Sequence, residues 1–132
     1  IKMVQANAAQ VSQGACDDLT VSLNFADGSL ATIAYTALGD TAYSKELIEA
    51  FAGGTVININ DFRGLTVTAG GKEAKHGKSM EQDKGHAAEL KAFADAVSSG
   101  GPAPADEAEL VQSSFATIAV LESLQRGGPV EL

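Results

Sequence analysis

The strongest constraint on this fold is that strand-like segments come first in the chain and helical patterns come last, with residues 82–90 between them. Before this junction, short runs of Val, Ile, Thr and Phe are separated by Gly and Asp. After it, two helical patterns are joined by Gly-Gly-Pro-Ala-Pro. Strands and helices do not alternate, which disfavours a parallel βαβ sheet. We predict an α+β fold, with an open, mainly antiparallel sheet of six or seven strands and two C-terminal helices on one face.

The clearest strand runs from Leu19 to Phe25, where apolar and polar residues alternate as in a strand with one covered face. Asp27-Gly28 follows and is typical of a hairpin turn. Residues 30–36 are therefore predicted to form the partner strand.

The two faces of this strand differ in chemistry. The apolar set is predicted to pack beneath the helices: Leu19, Val21, Leu23 and Phe25. The opposite set, Thr20, Ser22 and Asn24, is small and uncharged. It either contacts another subunit or domain, or faces solvent as in many antiparallel sheets.

The remaining elements follow from periodicity and turn residues. Further strands are predicted at residues 1–10, 45–51, 55–60, 65–68 and 72–78. The glycine pairs are predicted turns, because none has the Gly-x-Gly-x-x-Gly spacing of a dinucleotide loop. The first helix is expected to start near Asp83 as its N-cap. The second is expected to start at Asp106, with Glu109 in a capping-box position, and to end at Gly127.

Composition limits the class of protein. A chain of 132 residues fits a single domain. The formal net charge of −8 argues against a nucleic-acid surface, which needs clustered Lys and Arg. The single Cys16 excludes an internal disulfide and favours a cytoplasmic location. Residue 1 is Ile rather than Met, so we expect the chain to be a piece of a longer one.

Two groups of residues are candidates for chemistry. His86 has Asp83 and Glu89 three residues away on either side, which allows either proton transfer or an ordinary helix start. His76 lies in a polar stretch without an adjacent carboxylate, and no function is predicted for it. A metal enzyme built on the two histidines is a third, less favoured hypothesis, since they lack the i, i+4 spacing of a helical zinc site.

Tyr35, Tyr43 and Lys45 border the loop after the hairpin. Their hydroxyl and ammonium groups could contact a polyol or carbohydrate, because binding groups are often carried on loops. The alternative is a surface loop whose tyrosines pack locally. We predict these three residues as substrate-pocket or rim contacts.

Four motifs carry a resemblance to a known family: Leu-Asn-Phe-Ala-Asp-Gly-Ser at 23–29, Ile-Ala-Tyr-Thr-Ala-Leu-Gly-Asp at 33–40, Gln-Asp-Lys-Gly-His-Ala-Ala-Glu-Leu at 82–90 and Gly-Gly-Pro at 100–102. In order and spacing they resemble the C-terminal domain of the Gfo/Idh/MocA oxidoreductases, which include glucose–fructose oxidoreductase and inositol dehydrogenase. The likeness extends from about Asp18 onward. It is greatest to members that also carry a zinc-type dehydrogenase unit.

The resemblance implies a parent chain with an N-terminal Rossmann domain that binds NAD or NADP. It also implies a C-terminal domain that shapes a sugar or polyol pocket and forms a homo-oligomer through its sheet. The family's cofactor fingerprint and catalytic histidine have no counterpart here, and His86 matches a different family position. We therefore expect no catalytic, cofactor or metal residues in this fragment and no activity from it alone. The alternative is a non-catalytic binding or assembly module that dimerises through its sheet.

Overall fold

The computed structural model describes residues 1–9, 17–78 and 81–132 and contains, within them, eight strands and two helices. The strands are β1 (Met3–Ala8), β2 (Leu19–Asn24), β3 (Leu30–Tyr35), β4 (Leu47–Ala52), β5 (Thr55–Asn60), β6 (Gly64–Ala69), β7 (Lys72–Lys78) and β8 (Val130–Glu131); the helices are α1 (His86–Ser99) and α2 (Glu107–Arg126). Every strand pair is antiparallel. The predicted α+β class is confirmed. Cys16 and most of the loop expected around it lie outside the described residues.

The strands form two four-stranded sheets, ordered β3-β2-β1-β8 and β4-β5-β6-β7. Seven strands precede the helices, as the sequence predicted, and the short β8 joins the first sheet from beyond α2. The chain divides into two compact units. The first comprises Ile1–Gly39 and Pro102–Leu132, and contains the first sheet and α2. The second, Asp40–Gly101, contains the second sheet and α1.

The core of the first unit lies between its sheet and α2. The buried apolar residues come from three strands and the helix: Val4, Ala6, Val21, Ala116, Ala119 and Val130. Leu19 and Leu23 pack against this core, whereas Thr20 and Ser22 are exposed. The predicted division of β2 into an apolar face beneath a helix and a polar outer face is confirmed. Burial of a Val or Leu side chain of this kind stabilises a fold by about 1.5–3 kcal/mol.

A fully buried serine supplies hydrogen bonds to the first sheet where the pairing of β1 with β8 ends. β8 pairs with β1 only through Met3↔Glu131 and Val4↔Val130. Beyond these pairs, the Ser123 hydroxyl accepts from the Ala6 amide at 2.8 Å and donates to the Gly128 carbonyl at 2.7 Å. The side chain on α2 thus replaces the ladder bond that a longer β8 would have made.

Local chemistry sets the ends of α2. The Asp106 carboxylate accepts from the amides of Ala108 (2.8 Å) and Glu109 (3.2 Å), which satisfies two amides of the first turn. Gly127 follows the helix in the left-handed region, at φ 68°. Both predicted ends of this helix are confirmed.

The start predicted for α1 is wrong. Its N-cap is Gly85, at φ 80°, and no side chain caps the helix. Asp83 Oδ1 instead accepts from the Gly85 amide at 2.9 Å, forming a turn that precedes the helix. Because Gly85 is left-handed, the chain changes direction after Asp83, and the carboxylate does not reach the amides of the first helical turn.

The hairpin turns of the second unit share one backbone geometry. Gly53-Gly54 joins β4 to β5, and Gly70-Gly71 joins β6 to β7, all with positive φ as a tight hairpin requires. These glycine pairs are turns, as predicted. Between β5 and β6 the same left-handed pair is formed by Asp61 (φ 52°) and Phe62 (φ 53°), residues that rarely adopt it.

Candidate functional site

Tyr35, Tyr43 and Lys45, the predicted substrate contacts, are all exposed. Tyr35 ends β3 in the first unit, with 58% of its surface accessible. Tyr43 and Lys45 lie in the second unit, and Tyr43 is 75% exposed. The Tyr43 amide donates to the Asp40 carbonyl at 3.0 Å, so this residue belongs to a turn. A role for these side chains in substrate binding stays a prediction.

The hydroxyl of Thr36, next to Tyr35, has a structural task. It donates to Asp18 Oδ1 and accepts from the Leu38 amide at 3.2 Å. Asp18 Oδ1 also accepts from the Ala37 amide at 3.0 Å. These bonds hold the chain leaving β3 against the start of β2 and so fix the backbone on which Tyr35 stands.

The segment of residues 82–90 is anchored within the second unit by polar contacts to the β5–β6 turn and its surroundings. Gln82 Nε2 donates to Asp61 Oδ1, and Lys84 forms an ion pair with Glu46. The Lys84 ammonium also lies 5.6 Å from the centroid of the Phe62 ring, within the range of a cation–π interaction. The contacts of Gln82 and Lys84 give this segment a structural role.

His86 is the first residue of α1 and is exposed. Across the described ranges, no three His, Cys, Asp or Glu side chains come together in a group able to hold a metal ion. Neither histidine therefore belongs to a metal cluster in that part of the chain.

A shallow surface cavity of about 420 Å³, widely open to solvent, lies in the second unit beside the β5–β6 turn. Its apolar lining comes from Ile59, Phe62 and Leu65, and its polar side chains are Arg63, His76 and Asp83. Sequence reasoning missed Phe62 and Arg63 because Asp61–Gly64 was recognised only as a turn. It also gave no role to His76, which a strand pairing brings opposite Leu65.

An apolar groove of about 240 Å³ lies on the outer side of α2, away from the core residues Ala116 and Ala119. It is lined by Leu110, Val111, Ser114, Phe115 and Ile118. The large apolar residues of this groove are therefore exposed, whereas the small residues Ala116 and Ala119 pack in the core.

Among the residues that the structure describes, no helix combines the length and the apolar character needed to cross a membrane.

Comparison with known proteins identifies the fold. No protein-family model matches the sequence, and no curated protein matches it. One solved structure is similar over 99% of this chain, with a TM-score of 0.77 and 20% sequence identity: an oxidoreductase from Agrobacterium radiobacter crystallised in complex with NAD+, L-tartaric acid and magnesium. This chain spans 43% of the length of that protein. At this identity, the likeness shows that the two share a fold.

Proposed function

We propose that this chain is the substrate-pocket and oligomerisation domain of an NAD(P)-dependent oxidoreductase, the C-terminal domain of a longer chain. The observation that carries the proposal is the fold match, which covers nearly all of this chain and less than half of an oxidoreductase that binds NAD+. The motifs at residues 23–29, 33–40, 82–90 and 100–102 favour the Gfo/Idh/MocA family and a sugar or polyol substrate.

Neither helix N-terminus of the described residues is a favourable site for the pyrophosphate of a dinucleotide. A pyrophosphate binds helix N-termini through free backbone amides and a favourable dipole. At α2, the Asp106 carboxylate already accepts from the amides of Ala108 and Glu109, and its charge would repel a phosphate. At α1, the first turn carries Glu89 and is preceded by Asp83. We therefore propose that the nicotinamide cofactor, which accepts or donates the hydride, is bound by another part of the parent chain.

The contribution of this chain would be to hold the substrate. Tyr35, Tyr43 and Lys45 are the residues we propose for contact with its hydroxyl groups, because all three are exposed polar groups within a short stretch of the chain. None of them is proposed to move a proton. We assign the base that takes the carbinol proton to the missing domain.

The outer face of β1, β2 and β3 supports a role in oligomerisation. Strand register places nine residues on it: Met3, Gln5, Asn7, Thr20, Ser22, Asn24, Leu30, Thr32 and Ala34. None of these carries a charge, and on the fourth strand the register adds only Glu131, beside Met3 at the sheet edge, whereas solvated faces usually carry more Lys and Glu. We define these nine residues as the uncharged face and propose that it contacts a second copy of the chain.

The gene sequence and a calorimetric titration together test the proposal. The reading frame that encodes this chain should also encode a Gly-x-Gly-x-x-Gly segment between a strand and a helix upstream of Ile1. NAD+ and NADP+ should be titrated calorimetrically into the full-length product and into residues 1–132. We expect binding of at least one dinucleotide to the full-length protein only. An initiator codon immediately before Ile1, or a full-length product that binds neither, would contradict the proposal and favour a non-catalytic assembly module.

A further inference from the structure

The cavity beside the β5–β6 turn is built on unusual backbone. Asp61 and Phe62 adopt consecutive left-handed conformations that glycine would adopt more easily. The conformation is held by three bonds: Asp61 amide to Glu46 carbonyl at 2.7 Å, Arg63 amide to Asn60 carbonyl at 3.0 Å, and Asp83 amide to Phe62 carbonyl at 3.1 Å. The turn therefore presents the Phe62 ring and the Arg63 guanidinium from a fixed backbone, at some cost in strain.

A β-bulge in the pairing of β6 with β7 shapes the part of the cavity opposite the β5–β6 turn. Pairing of β6 with β7 passes from Gly64↔Lys78 to Leu65↔His76, which leaves Gly77 as an extra residue at φ 65°. A side chain at position 64 would place its Cβ 3.3 Å from the Gly77 carbonyl, so the strands approach closely there. Bulges re-aim neighbouring side chains and occur often beside active sites. Here the residue next to the bulge, His76, lines the cavity.

The charges around the cavity restrict what it can accept. Arg63 Nε lies 3.2 Å from Asp61 Oδ2, and Arg63 is 53% exposed. Its guanidinium carries five N–H donors, so most remain available to a carboxylate after this pairing. Asp83 also lines the cavity, with Oδ1 committed to the Gly85 amide. Asp61 and Asp83 together outweigh the single positive charge of Arg63, so a ligand can bring one carboxylate only if it contacts the guanidinium directly, and a second would be repelled; a hydroxyl could donate to Asp83 Oδ2.

We propose that this cavity binds a small hydroxylated monocarboxylate, the class to which sugar acids belong. The carboxylate meets the Arg63 guanidinium, the hydroxyl groups bond to Asp83 and His76, and the carbon skeleton lies on Phe62 and Leu65. The space of about 420 Å³ is large enough for a molecule of this size, which would keep one side in solvent because the cavity is open. Tyr35, Tyr43 and Lys45 are not among the residues that line this cavity, and its test requires no dinucleotide.

The test uses the two histidines of the sequence as internal reporters, His76 in the cavity and His86 outside its lining. D-gluconate is titrated into the 132-residue chain, and the imidazole proton resonances of both histidines are followed by NMR. We expect a saturable shift at His76 and none at His86. D-glucitol lacks the carboxylate and hexanoate lacks the hydroxyl groups, so each should bind about tenfold more weakly.

A matched pair of variants supports the assignment. The sequence has two arginines, so Arg63→Gln can be compared with Arg126→Gln, which removes an α2 ion pair with Glu122. We expect Arg63→Gln to weaken D-gluconate binding about tenfold and Arg126→Gln to leave it unchanged. Circular dichroism checks folding, and the three-ligand comparison on the unaltered chain stands even if a variant unfolds. An unshifted His76, equal shifts at both histidines, or equal binding of all three ligands would overturn the proposal.

Discussion

Ser123 shows how a single buried hydroxyl can complete a sheet edge. It is fully buried and joins the Ala6 amide to the Gly128 carbonyl, where direct pairing of β1 with β8 ends. Such a bridge depends on residues 117 positions apart in the chain, and no local pattern around Ser123 reveals it. Among the serines of α2, it differs from Ser113, which is exposed and bonds only to the carbonyl of its own helix.

Ser123→Ala should destabilise the protein by about 1–3 kcal/mol, because it leaves a buried amide and a carbonyl without a partner. Urea unfolding followed by circular dichroism measures the change. Ser113→Ala is the matched control and should lie within about 0.5 kcal/mol of the unaltered chain. Equal midpoints for the two variants would mean that the bridge adds no stability.

The carboxyl group of Asp27, in the turn between β2 and β3, predicts a loss of stability at low pH. Asp27 Oδ1 accepts two hydrogen bonds from Ser29, one from its hydroxyl at 2.7 Å and one from its amide at 2.9 Å. These bonds hold the pKa of the Asp27 carboxyl below its usual range. The charged form is favoured in the folded state. Its contribution to stability is therefore present above the pKa of the unfolded chain and is lost as pH falls through the lowered value.

Ser29→Ala removes the hydroxyl bond and keeps the amide bond, so the pKa of Asp27 should rise part of the way towards its ordinary value. Carboxyl-carbon NMR titration of Asp27 measures this directly. Ser44→Ala, in an exposed loop of the other unit, is the control and should leave the titration unchanged. An unaltered Asp27 titration in Ser29→Ala would show that the hydroxyl has no part in the shift.

At the scale of elements, the two helices begin with different hydrogen bonds. Asp106 accepts from two amides of α2, whereas Asp83 accepts from one amide that precedes α1. Asp106→Ala should therefore cost about 1 kcal/mol in urea unfolding, and Asp106→Asn should retain most of the cap. Asp83→Ala should cost less than Asp106→Ala. A larger loss for Asp83→Ala would mean that Asp83 supports α1 in a way that its bond to Gly85 does not explain.

Elements with local signals were predictable from the sequence. Alternation marked β2, Asp27-Gly28 marked its hairpin, and glycine pairs marked two turns of the second unit. Asp106 and Gly127 marked the ends of α2. In each case, the conformational preference lies in one residue or a short pattern, so it can be recognised without knowledge of distant contacts.

Features that depend on distant residues were not predictable. The two residues of β8 form a strand only because they pair with β1. The bulge at Gly77 is likewise defined by how β7 pairs with β6. The division of the strands into two sheets is likewise a matter of pairing. The cavity was missed for the same reason, because its walls come from the β5–β6 turn, β7 and the segment before α1.

At the scale of the whole molecule, the uncharged face predicts a dimer. Multi-angle light scattering should give twice the chain mass, because these nine residues can be buried against a second copy without desolvating charge, while Glu131 stays at the sheet edge. The double variant Thr20→Lys, Ser22→Lys should be monomeric, while Ser44→Lys, an exposed loop change, should remain dimeric. A monomeric unaltered chain would exclude the face as a self-sufficient interface.

We propose that this chain is a domain of an NAD(P)-dependent oxidoreductase, and hydride transfer by the full-length protein tests this most directly. The full-length product of the encoding gene should be mixed with NAD+ or NADP+ and a panel of sugars, polyols and sugar nucleotides, and formation of the reduced nicotinamide followed by absorbance. We predict reduction with at least one substrate by the full-length protein and none by residues 1–132 alone. Absence of reduction by a folded full-length protein that binds neither dinucleotide would contradict the account.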